Sequence, residues 1–405
     1  MQSSERLHAL DSVRAIALVG GVVLHATLSF LPGMPPFLVA PADEPSRSLA
    51  LGVLFFAIHV FRMAAFFLIA GFFARMMLEA RGLGGFVRNR LVRIGVPLLV
   101  GWPIVMALIV ALWIAAFAAA HPGVALKPPS APAGHRPLLA FPLTHLWFLY
   151  VLLLLYALVI PIRCAFGRLD RSGRGRALAD AIVAAIVRFP LGAAALAAPT
   201  ALALYLTPRW VAWFGVPTPD QSLVPHPSSF AVFALAFGFG WLLHRQPELL
   251  RQFGRRWAWL LGLALALIGL CLVLGGIRPA FAPVEGPEKL AFAARYALAM
   301  WMSVFALIGV CVRFLSAPSK AMRFVSDSSY WVYLAHLPLV YALQFLASRL
   351  PLPWELKFPL ILALAMALLL LGYRWLVRYS FVGAVLNGRR RRPQTAAVPA
   401  LAQPA

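Results

Sequence analysis

Residues 10–31, LDSVRAIALVGGVVLHATLSFL, decide what kind of protein this is. The run is long enough to cross a bilayer, which requires about 20 predominantly apolar residues. Among its side chains only Asp11, Arg14 and His25 can carry a charge. Because ionisable groups at membrane depth are costly unless they are paired or hydrated, these residues are candidates for function as well as for topology.

The rest of the chain has the same apolar character. Of its 405 residues, 62% are hydrophobic and 12% are charged, whereas soluble domains carry about a quarter charged residues. We therefore predict an all-α fold, a polytopic membrane helical bundle with about ten transmembrane helices. The apolar spans lie near residues 10–31, 49–73, 94–119, 146–162, 188–206, 228–243, 257–275, 294–315, 329–348 and 358–377.

The net charge of +23 suggests nucleic-acid binding, but the distribution of that charge argues against it. Basic residues form short clusters between apolar runs, as the positive-inside rule describes for multi-pass chains. These clusters fall in alternate loops and in the tail 389–392, so we predict that both termini are cytoplasmic. We expect one membrane domain over residues 1–386 and a disordered basic tail over 387–405. The three cysteines have no paired spacing, so no metal site is predicted.

The first span presents two of its ionisable residues on one face. Arg14 and His25 are 11 residues apart, which on an α-helix leaves them about 20° apart in direction and about 16 Å apart along the axis. Asp11 precedes Arg14 by one turn and can hold its guanidinium in position. Alternatively, Asp11 and Arg14 only anchor the helix at the headgroups, and His25 only bonds a neighbouring helix.

The second span carries His59 and Arg62 one turn apart, close to the predicted bilayer centre. An arginine at that depth must face a polar cavity, unless it is tied to backbone carbonyls between helices. In the ninth span, Tyr333 and His336 lie on one face, and Pro338 frees a backbone carbonyl nearby. Packing and helix capping explain residues 326–329, just before them, at least as well as chemistry does.

Two further pairs stand near the ends of predicted spans. Arg90 and Arg93 are three residues apart at the start of the third span, where two guanidiniums can clamp a phosphorylated ligand. Ordinary positive-inside charge explains the same pair. His145 and Trp147 begin the fourth span on the opposite side, where a substrate could approach from outside.

Taken together, these residues resemble the acyltransferase 3 family of integral membrane enzymes. The resemblance is carried, in order, by LDSVRAIA at 10–17 with His25, HVFRMAAFFLIAGFF at 59–73, RLVRI at 90–94, HLWFL at 145–149 and SYWVYLAH at 329–336. It covers essentially the whole chain. Within the family, the segment 59–73 looks most like the branch that adds succinyl groups to periplasmic glucans.

The resemblance implies an enzyme that acylates hydroxyls of glycans, located in the bacterial cytoplasmic membrane. It implies acyl-CoA as the donor substrate, with no permanently bound cofactor, and a periplasmic glycan as the acceptor. Membrane lipid is an expected partner and nucleic acid is not. On this basis the expected catalytic residues are His25, Arg14, Asp11 and His336. The expected donor-binding residues are Arg90 and Arg93, and the expected substrate-binding residues are His59, Arg62, His145, Trp147 and Tyr333.

Several alternatives stay open at this point. The acyl group is either succinyl or acetyl, and the acceptor is either an osmoregulated periplasmic glucan or another cell-surface polysaccharide or lipid-linked glycan. A histidine with a pKa near 6.5 can take the acceptor's proton directly or can itself become acylated. A polytopic transporter has the same gross composition, although the absence of carboxylates from the predicted mid-membrane positions weakens a proton-coupled one.

Overall fold

The computed structural model describes residues 3–34, 46–120, 122–124 and 139–388, with no statement on the side chains of residues 3–7. Within those ranges the secondary structure is helical. The α-helices are α1 (Ser3–Thr27), α2 (Leu49–Arg90), α3 (Val96–Ala120), α4 (Trp147–Leu169), α5 (Arg174–Arg188), α6 (Ala193–Tyr205), α7 (Pro227–Leu243), α8 (Leu250–Arg255), α9 (Trp257–Gly275), α10 (Gly286–Phe314), α11 (Lys320–Ser348), α12 (Trp354–Gly372) and α13 (Phe381–Asn387).

The all-α membrane architecture is confirmed for the described residues. Seven helical stretches there are long and apolar enough to cross a membrane, and two bent pairs of helices bring the number to nine if each pair is one span. The predicted count of ten and the cytoplasmic location of both termini stay predictions. Of the predicted tail 387–405, residues 389–405 lie outside the described residues, and Asn387 is the last residue of α13.

The predicted continuous span over 188–206 is wrong. Arg188 ends α5, α6 begins at Ala193, and the two helix axes meet at 100°. Phe189 is extended, with φ −77° and ψ 139°, as the residue before a proline prefers to be. Pro190 therefore stops α5 at the point where the apolar pattern continues.

Residues Leu49–Ala120 count as one helical stretch of 72 residues, which if straight would measure about 108 Å against a hydrocarbon thickness of about 30 Å. Gly82 interrupts it with φ 67° and ψ 177°, a conformation that is essentially restricted to glycine. A turn of π-helix over Leu91–Gly95 then leads into α3. How this stretch divides in the membrane decides the number of crossings.

Close backbone contact joins α2 to α7. A Cβ added at Gly71 would overlap the Phe237 carbonyl, and one added at Gly240 would overlap the Leu68 carbonyl. Small residues at crossing points let membrane helices approach closely, since lipid offers no hydrophobic drive for their association. The crossing sets the position of one wall of the cavity described below, where Phe67 stacks on Phe233 with ring centroids 4.6 Å apart.

Candidate active site

A cavity of about 1080 Å³ lies between α1, α2, α3, α11 and the segments before α4 and α7. Most of its wall is apolar, and its polar lining is concentrated on a few side chains. Those used below are His25, His59, Arg62, Thr144, His145, Asp220, Tyr333, His336 and Tyr341. The cavity therefore brings together four histidines that the sequence places in four separate predicted spans.

His336 lies at the centre of this polar lining. Its ring centroid is 5.1 Å from that of His25 and 5.0 Å from that of His145. Its Nδ1 lies 3.0 Å from the Val332 carbonyl oxygen and 2.8 Å from that of Tyr333. Because a carbonyl only accepts, these contacts assign the proton to Nδ1, which leaves Nε2 with a free lone pair. His336 thus presents a basic nitrogen rather than a donor.

His145 is held against α11 by hydrogen bonds in both directions. It belongs to a short 3-10 turn, Thr144–Leu146, that precedes α4. Its Nε2 donates to the Tyr333 carbonyl at 3.0 Å, and the ring also interacts with the Leu334 backbone. The Leu334 carbonyl is available because Pro338 has no N–H to donate to it, so the predicted freed carbonyl is confirmed. The Tyr333 hydroxyl donates back to the His145 carbonyl.

His25 sits where α1 ends, and its backbone is fixed from α11. The Gln344 side-chain amide donates to the carbonyls of His25 and Ala26, at 3.0 Å and 3.1 Å. Gln344 is buried, with 2% of its surface exposed. The last carbonyls of a helix lack partners within it, so this amide acts as a C-terminal cap supplied by another helix. Nδ1 of His25 has no hydrogen-bond partner among the described protein atoms.

Arg62 points from α2 across the cavity to α1. A Cβ added at Gly21 would lie 2.8 Å from its Nη1, so the guanidinium occupies the space left by this glycine. It interacts electrostatically with the rings of His25, His145 and His336. Its Nε has no hydrogen-bond partner among the described protein atoms, and none of their ion pairs includes it.

His59, one turn before Arg62, is fixed differently. Its Nε2 lies 2.7 Å from the Phe214 carbonyl, and its ring stacks on Phe55 at a centroid distance of 5.3 Å. Its Nδ1 has no partner among the described atoms. Trp147 also lines the cavity, but it stacks on Phe233 with ring centroids 5.4 Å apart and is 7% exposed. Trp147 is therefore part of the packed wall.

Arg14 and Asp11 form a second polar group, which does not line this cavity. The expected pairing is confirmed, with Arg14 Nη2 3.3 Å from Asp11 Oδ1. The Arg14 guanidinium also donates to the hydroxyl of Ser326 on α11, from Nη2 and from Nε. The distance from Nε to Ser326 Oγ is 3.0 Å. The expectation that Ser326 caps the ninth span is wrong, because α11 starts earlier, with Ser319 as its N-cap.

Arg90 and Arg93 point to different neighbours. Arg90 is 9% exposed, and its guanidinium lies over the rings of Phe86 and Tyr156, 5.5 Å from each centroid. Arg93 donates from Nη2 to the Asn387 carbonyl at 2.7 Å. The two guanidiniums interact electrostatically, but each is engaged by protein groups rather than aligned in an open fork. Binding of a phosphorylated ligand by this pair stays a prediction.

Three polar residues around the cavity were missed by the sequence interpretation. Gln344 fixes His25, Thr144 places an unpaired hydroxyl next to His145, and Asp220 is the acidic residue among the described lining. Gln344 was detectable as an uncharged polar residue inside an apolar span, where such groups usually bond another helix. Nothing local in the sequence indicates that the loop carrying Asp220 returns to the cavity.

The arrangement is suited to proton transfer. His336 has a free basic nitrogen, His25 faces it, and Arg62 supplies a positive charge in a poorly hydrated space. Such a set can remove a proton from a hydroxyl and stabilise negative charge that develops beside it. The roles of the individual residues are proposals, taken up below.

Comparison with known proteins identifies the family. The sequence model of the acyltransferase domain matches residues 7–374, nearly the whole chain. Glucans biosynthesis protein C of Escherichia coli O1:K1 and of Escherichia coli O9:H4 are each 31% identical to it over 161 residues. That match spans 39% of this chain and 39% of each relative, so the chain covers about two fifths of the length of the curated relatives. No solved structure matches. The chain belongs to the acyltransferase 3 family, and its apolar helices make it a multi-pass membrane protein.

Proposed function

We propose that the protein is a membrane-embedded O-acyltransferase that moves an acyl group, succinyl or acetyl, from cytoplasmic acyl-CoA to a hydroxyl of a periplasmic glycan. The observation that carries this proposal is the meeting of His25 with His336, 5.1 Å apart, beside Arg62 in one cavity. Family membership supports acyl transfer. The donor, the acceptor and the location in the bacterial inner membrane are the proposed elements.

In the proposed reaction a histidine acts as general base. As the acceptor oxygen attacks the carbonyl carbon of the thioester, His25 takes the hydroxyl proton. The tetrahedral oxyanion then collapses, the carbon–sulfur bond breaks, and the departing thiolate recovers a proton from the imidazolium. The products are an ester and free CoA thiol. His336 orients His25, and Arg62 lies where the oxyanion develops.

The donor reaches the cavity from the side of Arg14, Arg90 and Arg93 in this proposal. These guanidiniums lie toward the predicted cytoplasmic face and interact electrostatically with one another, which favours the polyanionic nucleotide of CoA. Arg14 and His25 share the side of α1 that faces α11, because the Arg14 side chain contacts Ser326 and the His25 ring faces that of His336. The separation of about 16 Å along the helix suits an extended pantetheine arm.

An osmoregulated periplasmic glucan is the acceptor that we propose. The name of the relatives, glucans biosynthesis protein C, supports a glucan pathway. The alternatives are O-acetylation of another surface polysaccharide or a lipid-linked glycan, and transport without chemistry. Release of CoA thiol separates transport from all the enzymatic alternatives.

The decisive experiment measures thiol release from acetyl-CoA and from succinyl-CoA by protein in nanodiscs, with periplasmic glucan added. We expect release with at least one donor, and a loss of 10²-fold or more in His25→Ala, which is about the contribution of a general base. His226→Gln is the matched control, since His226 bonds Ser228 and does not line the cavity. If the wild-type protein neither bound a donor nor released thiol, the result would favour the transporter instead.

Arg62 provides a test of the acyl group. A succinyl donor carries a carboxylate that can pair with the Arg62 guanidinium, whereas an acetyl donor does not. If succinyl is the natural group, Arg62→Gln should lower the use of succinyl-CoA more than that of acetyl-CoA. Equal effects on both donors would leave Arg62 with the oxyanion role alone.

A further inference from the structure

Two loop segments that contribute Thr144, His145, Asp220 and Gln221 to the cavity lining pair with each other, and this part of the cavity is called the mouth. Phe141 N donates to the Gln221 carbonyl at 3.0 Å, and Leu143 N donates to the Asp220 carbonyl at 2.7 Å. An isolated antiparallel bridge joins Ala140 to Ser222. These backbone bonds hold the Asp220 segment beside the turn that carries His145, so the mouth is a defined surface.

Asp220 places a carboxylate in this mouth. Its Oδ2 accepts a hydrogen bond from Gln221 Nε2 at 3.0 Å, and its side chain interacts electrostatically with Tyr341. No ion pair found among the described residues includes Asp220. A carboxylate has about four acceptor positions, so this one retains capacity for further donors.

Thr144 adds an independent observation on the same wall. Its Oγ1 is buried without a hydrogen-bond partner among the described atoms, and it lines the cavity next to His145. Its backbone has φ 52°, a left-handed conformation that is unfavourable for a β-branched residue. Strained residues persist where the surrounding structure enforces them, commonly at binding sites.

We propose that Asp220 and Thr144 form the subsite that binds the hydroxyl groups of a neutral carbohydrate acceptor. The inference rests on the proposed function and adds to it the residues that recognise the acceptor. An ionised carboxylate accepts from two neighbouring hydroxyls, and a threonine hydroxyl both donates and accepts. The carboxylate also repels anionic molecules from the mouth, which keeps a free acyl carboxylate and an acidic polysaccharide out of the acceptor position.

The first test of the subsite measures glucan binding, without acyl transfer. Wild-type protein in nanodiscs is titrated with neutral periplasmic glucan, and the dissociation constant is read from tryptophan fluorescence. We expect Asp220→Asn, which keeps the shape of the side chain, to weaken binding about tenfold or more, as for a lost hydrogen bond to a charged group. Thr144→Val should weaken it less. Glu285→Gln, at an exposed acid in another outer loop outside the cavity, is the matched control and should bind normally.

The kinetic readout separates the subsite from the chemistry. With thiol release as the assay, the loss in Asp220→Asn should fall mainly on KM for glucan, while KM for the donor stays at the wild-type value. Unchanged glucan binding in folded Asp220→Asn, or no glucan binding by the wild-type protein, would overturn the subsite. Asp220-dependent glucan binding without thiol release from any donor would uphold the subsite and contradict the proposed acyl transfer.

Discussion

The ring of His25 on α1 and the ring of His336 on α11 face each other with their centroids 5.1 Å apart and their planes inclined by 51°. One end of the contact is set by the backbone of His336's own helix, because Nδ1 bonds the Val332 and Tyr333 carbonyls. His25, on the other side of the contact, is held by Gln344 of α11, which donates to the carbonyls of His25 and Ala26. The pair is therefore positioned before any substrate arrives.

Substitution at Gly21 should disable Arg62 without unfolding the protein. In Gly21→Ala the new methyl group would meet the guanidinium at 2.8 Å, and the flexible end of the arginine can move away at little cost. We expect thiol release to fall at least tenfold, since Arg62 is displaced from the histidines. Gly20→Ala is the matched control, because its Cβ would make an ordinary contact with Ile58 at 3.5 Å. Similar activity of the two variants would contradict the placement of Arg62.

Gln344 should act on the reaction through His25. Gln344→Met keeps the side-chain volume but removes both bonds to the α1 carbonyls, so His25 is free to shift. We expect kcat to fall about tenfold to a hundredfold, the scale of a small misplacement of a catalytic group, with little change in KM for the donor. Gln246→Met is the control, since it removes a comparable bond, to the Asp180 carbonyl at 2.8 Å, far from His25. An equal loss in both variants would indicate a general structural effect.

The crossing of α2 and α7 should tolerate no side chain at Gly240. Gly240→Ala forces its Cβ into the Leu68 carbonyl, and overpacking of this kind costs about 1–3 kcal/mol. Gly238→Ala, on the same helix, meets nothing within 4 Å and should be neutral or slightly stabilising through helix propensity. Thermal inactivation in detergent, at one scan rate, compares the two variants. A midpoint for Gly240→Ala at or above that of Gly238→Ala would contradict this crossing.

Asp220 should make the protein less stable as the pH rises. Burial raises the pKa of the Asp220 carboxyl, an effect partly offset by the hydrogen bond from Gln221. The folded protein then binds this proton more tightly than the unfolded chain, so stability falls as pH rises from about 4, the usual value for aspartate, through the raised pKa. Nearby Tyr341 is uncharged in that range.

Asp220→Asn removes this dependence. The melting midpoint of the variant relative to the wild type should therefore increase between pH 4 and pH 7. A difference that is constant over this range, or that decreases, would contradict the raised pKa.

Local patterns in the sequence were sufficient for much of the architecture. Apolar spacing predicted the helical bundle, the 3.6-residue period predicted that Asp11 meets Arg14, and the chemistry of proline predicted the free Leu334 carbonyl beside His145. Each of these follows from a rule that acts within one helix. The span over 188–206 failed because hydropathy windows average over Pro190, which ends α5 although its neighbours are apolar.

Contacts between distant segments were beyond such rules. The spacing of Arg90 and Arg93 placed both on one turn, but the burial of Arg90 depends on Tyr156 from α4. The functions of Gln344 and Asp220 depend on which helix end and which loop they meet, and no periodicity encodes those neighbours. The histidines, Arg62 and Tyr333 of the polar lining were therefore predictable one by one, whereas Thr144, Asp220 and the assembly of the whole set required the structure.

The helix α3 lines the cavity although few of its side chains are buried by the rest of the protein. It buries only Pro97 and Val105 inside the protein, yet its C-terminal half, including Trp113, forms a side of the cavity. One hydrogen bond, from Trp102 to the Pro142 carbonyl at 2.7 Å, ties it to the paired loops. Trp102 also stacks on Phe141, and α3 packs against α11, where Gly101 lies next to Leu334. We expect lateral pressure from lipid acyl chains to support the rest of the helix. We therefore expect detergent extraction, which removes this lipid, to loosen the α3 side of the cavity first.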